Sequence, residues 1–472
     1  MLSTRNFMWL GVLLIFISGC ATVSLDAGFT DVSRVVEERG GGKVVWQGGS
    51  ELDKEVGEKV AGLLSNKLTI ESVVQVALLN NRELQALYSD LGVAQADLVQ
   101  AGLLNNPIFD AAIKIPNAGG RTNLELSAVW SFLDIFYLPL RKRVAAAKFE
   151  AVKLQISGAV LDFAAQVRSA FFVHQANEQL LELRQTILKA LAASWDIARR
   201  LNEAGNITDL ELARNRALTE AGKLALRSAE IAVRQSREQL NDLMGLWGKD
   251  TNWQTDGRLA DIPAQAIETE SLENVALRKS LDLLHARQRV AVAGEQLGFD
   301  KNTALVPELH AGPFGEREED SWRVGPTLEF PIPLFDQGQA RVGRAAAELR
   351  RVQQEYYALA VRIRSMTRAA RNRMEGSRDR ALYYRDILLP LHQRIVAESQ
   401  LHYNAMQLGP VQLLRAREQQ IETAVGYVEA LRDYWLAETD LGQILNGRLP
   451  KSTGFQKIQS GGQMKMADRD GH

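Results

Sequence analysis

The chain of 472 residues contains one cysteine, Cys20. A lone thiol excludes an intrachain disulfide and a cysteine-built metal cluster. An excess of either charge is also missing. The 56 Lys and Arg stand against 57 Asp and Glu, a formal charge of −1, so nothing in the balance asks for nucleic acid or a strongly anionic surface. Proline is sparse at 12 and aromatics make up 7%. Long apolar runs are confined to the first residues, and no later stretch approaches a transmembrane helix. A chain of this kind that crosses a membrane must do so with strands. Chemistry is hard to find. His174, His285, His310, His392, His402 and His472 are scattered, with no zinc-ligand spacing. No phosphate loop, nucleophile elbow or carboxylate pair stands out. The expectation is a protein that is not an enzyme and needs no cofactor or metal. What the chain has in abundance is helix formers: Ala, Leu, Arg, Glu and Gln.

The N-terminus adds a compartment. Arg5 precedes an apolar run from Phe7 to Ile17, and Ile17-Ser18-Gly19 then leads to Cys20. The run is short for a spanning helix, which needs about 20 apolar residues. It resembles a bacterial lipoprotein signal, residues 1–19, with lipid attachment at Cys20; an ordinary secretory signal or a short anchor would also give such a run. Ala21 follows where an aspartate would argue for inner-membrane retention, so the expected destination is the outer membrane of a Gram-negative bacterium.

Residues 20–66 read as a lipidated tether and residues 448–472 as a disordered tail. Between them lies a duplication with an offset near 200 residues. Arg141 with Ala145-Ala146-Ala147 lines up with Arg341 and Ala345-Ala346-Ala347, and the approach to Gly245 parallels that to Gly447. The first repeat spans 67–250, a linker 251–270, and the second repeat 271–447. Each reads as shorter helix, strand pair, very long helix, turn and long helix.

The very long helices show the clearest period. Val342, Ala345, Leu349, Val352, Tyr356, Leu359, Ile363, Met366 and Ala370 alternate by threes and fours, a heptad seam that asks for a coiled-coil partner. The first repeat has Val144, Ala147, Ala151, Leu154, Gly158, Leu161 and Ala165. The pattern predicts helices from about Leu140 to Ala204 and from about Gln339 to Met406. Roughly 65 residues span on the order of 100 Å as helix. Pro390 predicts a kink in the second. Turns near 205–209, with Thr208 as N-cap, and near 408–412, with Gly409-Pro410, close the two helical hairpins.

Four segments alternate instead with period two, placing one set of side chains on one sheet face. They are expected at about 108–115, 122–133, 305–313 and 321–334. Phe109, Ala111, Ile113 and Ile115 oppose Asp110 and Lys114; Leu124, Leu126, Ala128, Trp130 and Phe132 oppose Glu125, Ser127 and Ser131. Leu305, Pro307, Leu309 and Ala311 oppose Glu308 and His310; Trp322, Val324, Pro326, Leu328 and Phe330 oppose Arg323, Thr327 and Glu329. Pro116 to Arg121 and Phe314 to Asp320 read as the connecting turns. The segments have about the length that crosses a bilayer at a tilt, with charged faces suited to a wet lumen. Four strands are too few to close a barrel, so copies must pool theirs, and a trimer gives twelve. Glu125, Glu308, His310, Arg323 and Glu329 are the lumen-facing candidates. A half-buried sheet in a soluble domain is the bland reading of any one strand.

Taken together, the residues resemble the TolC family of outer-membrane efflux proteins, specifically its lipidated members. Leu68-Thr69-Ile70-Glu71 leading through Ala77-Leu78-Leu79-Asn80-Asn81 is like the family's first helix. Phe330-Pro331-Ile332-Pro333-Leu334-Phe335-Asp336-Gln337-Gly338 resembles its second strand-to-helix junction, and Tyr403-Asn404-Ala405-Met406 leads into the second tip. The resemblance covers about 67–447. Phe136-Tyr137-Leu138-Pro139-Leu140 replaces the usual glycine-bearing first junction, and the tips depart from the family's acidic form. The resemblance implies a mainly α fold with a small β part: long coiled-coil hairpins in two repeats forming an α-barrel, and four transmembrane strands per protomer in a trimeric 12-stranded β-barrel. It further implies a homotrimer in outer-membrane lipid that works with a periplasmic adaptor and an inner-membrane transporter to export small molecules or metal ions. Asp209, Glu211, Arg415 and Arg417 are the polar candidates for the periplasmic aperture, and each also reads as an ordinary solvated helix residue. A periplasmic adaptor or a coiled-coil envelope scaffold is the competing reading, though neither needs two matched strand pairs.

Overall fold

The computed structural model describes residues 23–24, 28–49, 51–115, 122–255, 257–263, 271–306, 308–318 and 321–450. Cys20, residues 1–19, the turn at 116–121 and the tail from 451 lie outside the described residues. The protein is mainly helical with a small sheet. In chain order the elements are α1 (Phe29–Glu38), α2 (Glu51–Leu64), α3 (Ile70–Asn80), α4 (Arg82–Ala101), β1 (Ile108–Lys114), β2 (Asn123–Ser131), α5 (Asp134–Glu203) and α6 (Asp209–Met244). Then come α7 (Leu272–Lys279), α8 (Leu281–Asn302), β3 (His310–Glu318), β4 (Ser321–Glu329), α9 (Gln339–Tyr383), a π turn (Tyr384–Leu388), α10 (Leu389–Asn404) and α11 (Pro410–Leu445). The order α3 to α6 repeats as α7 to α11.

Two compact units emerge, one of Met1–Val35, Glu83–Ser157 and Leu283–Leu359, the other of Val36–Arg82, Gly158–Asp282 and Ala360–His472. The first unit holds the sheet and the helix ends that adjoin it. β1, β2, β3 and β4 form one four-stranded antiparallel sheet in sequence order. α5 and α8 are tied by Arg143–Glu295 and by Gln288 Nε2 donating to Ala147 O, and α8 and α9 by Arg289–Glu355. Tyr137 packs edge-on to Phe299 and donates its hydroxyl to Val306 O.

The second unit is a helical array. Thr69 caps α3 in a reciprocal box with Ser72, which satisfies two orphan donors at once. At the other end Asn80 and Asn81 donate to Met244 O, Gly245 O and Leu243 O, fastening α3 to the end of α6. Ile187 and Leu191 of α5 form a core with Ile421 and Val425 of α11. Trp253, almost fully buried, lies under the Arg237 guanidinium and donates to Asn241 Oδ1.

Several elements depart from the sequence expectation. The third strand runs His310–Glu318, not 305–313, so Phe314 to Glu318 are strand where a turn was expected. Its Gly312-Pro313 and Gly315 have poor strand propensity, which hid it. Gly312 is there for backbone approach: a Cβ would lie 1.8 Å from Ala128 O. The fourth strand stops at Glu329, because the prolines at 331 and 333 cannot donate to a ladder. α5 begins at Asp134, six residues before Leu140, and carries Pro139 inside it. The lost N–H falls near the helix start, where interruption is cheapest. The second very long helix is not continuous. At Pro390 it meets a π turn, Tyr384–Leu388, whose wider winding accommodates a ring that would strike the carbonyl four residues back. Two helices, α1 and α2, occupy the stretch read as a tether.

One further correction concerns apolarity. α5 contains a stretch long and apolar enough to cross a membrane by length and composition, against the expectation that none followed the N-terminal run. More than half of that stretch is buried within the protein, which accounts for its apolar character as helix core.

Candidate functional site

The first site is the sheet. Directly opposed residues in an antiparallel ladder share a face, so the register sorts the side chains. Pairings Phe109 with Ala128, Ala111 with Leu126 and Ile113 with Leu124 place six apolar side chains together. Trp130 with Ala311, then Ala311 with Leu328, Pro313 with Pro326 and Gly315 with Val324 extend that face across all four strands. Its one charge is Arg317, opposite Trp322 near the hairpin end. Among the described residues nothing in the first unit covers this face: Phe109, Ile113, Val324 and Leu328 are 68%, 67%, 76% and 61% exposed.

The other face is mainly polar, with a row of Asp110, Ser127, Phe314 and Gly325 between two others and Ile108 and Val129 beside it. Near the hairpin ends, Ala112, Glu125, Glu316 and Arg323 form one row across the strands. Lys114 closes an ion pair on Glu125, so cationic ends flank two adjacent carboxylates. Nearer the helices, Ser131, His310 and Glu329 form a second row. Of the lumen-facing candidates, Glu125, Arg323, His310 and Glu329 thus lie on the polar face. Glu308 precedes β3, exposed, with its carboxylate 3.6 Å from His310 Nε2. Sequence reasoning missed Glu316, since it fell in the segment read as a turn. Phe314-Gly315-Glu316-Arg317 carries no alternation that would have revealed it, since each sheet face takes one uncharged and one charged residue there.

The second site is the pair of helical tips. At the first, Gly205 takes φ 76 and Asn206 N–H donates to Leu201 O at 2.7 Å, a left-handed stop. Thr208 Oγ1 accepts from Glu211 N at 3.3 Å, and Asn202 donates to Asp209 Oδ1 at 3.0 Å. Asp209 and Glu211 occupy the first turn of α6, where the helix dipole favours carboxylates. At the second tip the left-handed residue is Met406, φ 60, 95% exposed, and Gln407 N–H donates to His402 O. Gly409 is N-cap and Pro410 opens α11. Arg415 is exposed, and Arg417 donates to Gln420 Oε1. Arg415-Ala416-Arg417 repeats Arg214-Asn215-Arg216 at the same distance from its turn, with Asn215 and Ala416 both buried. Arg214 and Arg216 were missed although the repeat offset points to them.

A third feature steadies the second unit. Arg448 reaches Asp162 of α5 and Asp282 of α8, its Nη2 2.5 Å from Asp162 Oδ2, and Leu449 N–H donates to Asp282. Gly158 leaves room for the guanidinium. Burial pushes the Asp282 carboxyl above its ordinary value despite Arg448. Arg448 had been assigned to the tail. Among the described residues, no three His, Cys, Asp or Glu side chains gather as metal ligands would.

A mainly helical chain with two long hairpins and one bare, two-faced antiparallel sheet has the architecture of an outer-membrane efflux channel. Comparison agrees. The chain is 22% identical over 402 residues to the cobalt-zinc-cadmium resistance protein CzcC of Cupriavidus metallidurans, covering 80% of this chain and 90% of that one. It is 22% identical over 301 residues to the probable efflux pump outer membrane protein TtgC of Pseudomonas putida, covering 56% and 59%. Among solved structures, the open state of the Neisseria gonorrhoeae MtrE outer membrane channel superposes with a TM-score of 0.65 at 15% identity, covering 83% of this chain and 91% of that one. No family model matches the chain. At these identities the chain is similar to outer-membrane efflux proteins and shares the fold of the solved channels.

Proposed function

We propose that this protein is a passive export duct of the outer membrane, assembled as a homotrimer and anchored by lipid at Cys20. The observation that carries the reading is the bare sheet. A face whose Phe109, Ile113, Val324 and Leu328 are left open to solvent is costly at about 25 cal/mol per Å², and β1 and β4 each leave an unpaired edge. Lipid against the apolar face and sister strands against both edges resolve the two problems together. Three copies give twelve strands around the polar rows, which then line water.

The lipid anchor has support in reach. Gly28 lies against Phe149 and Lys153, about 15 residues into α5, or roughly 22 Å from its start beside β2. The eight residues from Cys20 to Gly28 span up to about 27 Å when extended. The tether is therefore long enough to bring Cys20 level with the sheet. Palmitate labelling is expected on the chain and absent from Cys20→Ala.

The duct catalyses no reaction; an adaptor at the tips and an inner-membrane transporter supply the driving free energy. Asp209, Glu211, Arg415 and Arg417 line the periplasmic aperture in this reading. Charge reversal at all four is expected to change single-channel conductance or ion selectivity in planar bilayers; unchanged values place the gate elsewhere.

For cargo, divalent metal cations are the reading preferred, because the match to CzcC runs over most of both chains whereas that to TtgC covers little more than half. A deletion strain is expected to become sensitive to zinc, cadmium or cobalt. Sensitivity to toluene or antibiotics with metal tolerance intact would reverse the assignment.

A further inference from the structure

We infer that the second unit holds a binding site for a small hydrophilic oxyanion, a phosphate or a carboxylate, between the start of α7 and the middle of α9. The site stands apart from the export reading, since neither the sheet nor the tips contribute a residue to it.

Its construction begins with a spacing. Arg364, Thr367, Arg368 and Arg371 recur by threes and fours, so they share one face of α9. Thr367 is buried in the middle of that face, its hydroxyl donating to Ile363 O at 2.7 Å, and the three guanidinium side chains surround it in sequence. Like charges at these spacings destabilise a helix, so the cluster calls for negative charge in front of it. The chain supplies part of that charge. Arg368 Nη1 donates to both carboxylate oxygens of Glu273, on α7, at 3.1 and 3.0 Å. Glu375 stands 3.6 Å from Arg371 Nε, too far for a hydrogen bond. Arg371 Nε is enclosed and donates to nothing. Arg364 is exposed and has no ion-pair partner among the described residues. Of three cations, one is neutralised in full.

In front of this face lies a cavity of about 410 Å³, closed on its other side by residues 271–274. Its size is that of a small-molecule site, about 300–1,000 Å³. Its walls are of another kind. Leu272 alone among the described lining residues has an apolar side chain, which suits a hydrophilic occupant and not an oily one. The start of α7 adds the same sign of potential. Ser271 sits there in a left-handed conformation, φ 72, and makes no side-chain cap on the first-turn amides, so the positive end of the helix dipole is unscreened by a cap. Guanidinium forks match phosphate and carboxylate oxygens two at a time. The arrangement of Arg364 and Arg371 beside the Glu273–Arg368 pair is therefore that of an oxyanion pocket.

The test is calorimetric titration of the detergent-solubilised full chain with inorganic phosphate and, separately, with citrate, at constant ionic strength in chloride. Saturable binding of one or both is expected, and the two arms tell a phosphate site from a carboxylate site. The bound anion is also expected to raise the melting temperature by mass action. Arg364→Gln should weaken binding by about ten- to a hundredfold, the worth of a charged hydrogen bond. Arg362→Gln removes the same charge from the opposite side of α9 and should change affinity by no more than about twofold. Should Arg364→Gln fail to fold, Arg364→Lys carries the test. It keeps the charge, loses the fork, and is expected to bind about tenfold more weakly. Absence of saturable binding by both anions overturns the site. An equal loss in Arg362→Gln overturns it too, in favour of diffuse attraction to a cationic helix, and so does wild-type affinity in Arg364→Lys. Glu268 and Glu270 lie outside the described residues; binding that appears only in Glu268→Gln with Glu270→Gln would overturn the proposal by assigning the cavity to the chain's own carboxylates.

Discussion

Single residues set the tips and the ladder. Met406 occupies a left-handed conformation that glycine holds at the first tip, and its side chain is almost wholly in solvent. Met406→Gly is expected to raise stability by about 1 kcal/mol through relief of that strain, seen as a higher melting temperature. A lower one would mean that the methionine makes a contact in the assembled protein. Gly312→Val is expected to act in the opposite sense and much more strongly, because no Cβ fits 1.8 Å from the Ala128 carbonyl. Loss of the heat-resistant trimer band would register it. The polar rows were half legible at this scale. Glu125, Arg323, His310 and Glu329 follow from alternation alone, but Glu316 required knowing that Gly312-Pro313-Phe314-Gly315 is strand. Propensity argues against that, and only the neighbouring strands enforce it.

At the scale of elements, the heptad seams were readable because a long helix has too much period to hide. The break at Pro390 was readable as well, though its form was not. A π turn is only one of the ways a helix can take up a proline ring, and no local pattern selects it. The joint at Arg448 was invisible for the same reason: Asp162, Asp282 and Arg448 are remote in sequence and meet only in the fold. Arg448→Met leaves two buried carboxylates facing each other and is expected to cost about 3–5 kcal/mol. The pH dependence has a definite sign. The Asp282 carboxyl already titrates above its ordinary value because of burial, so its folded form takes a proton more readily than its unfolded form. Its contribution to stability therefore grows as pH falls through that raised value and is lost as pH rises. Without Arg448 the upward shift increases, so the deficit of Arg448→Met should narrow on acidification. Thermal melts of both proteins across the acidic range would show the gap closing; a gap that widens would contradict this account.

For the whole molecule, the duplicated plan of helices and strand pairs was present in the sequence, from the repeated alanine triplets to the paired alternating segments. What sequence could not supply was the joining of the two strand pairs, β2 to β3, into one sheet with one apolar and one charged face. In the proposed reading, sister strands and lipid complete that sheet. The most direct measurement is site-specific labelling in native outer membranes of Val324→Cys and Arg323→Cys, neighbours on β4 that point to opposite faces. Val324→Cys should react with a probe confined to the acyl chains and resist a charged, water-borne maleimide, whereas Arg323→Cys should do the reverse. Equal reaction of both with the water-borne reagent, or shielding of both from the lipid probe, would contradict a sheet that faces lipid on one side and a pore on the other.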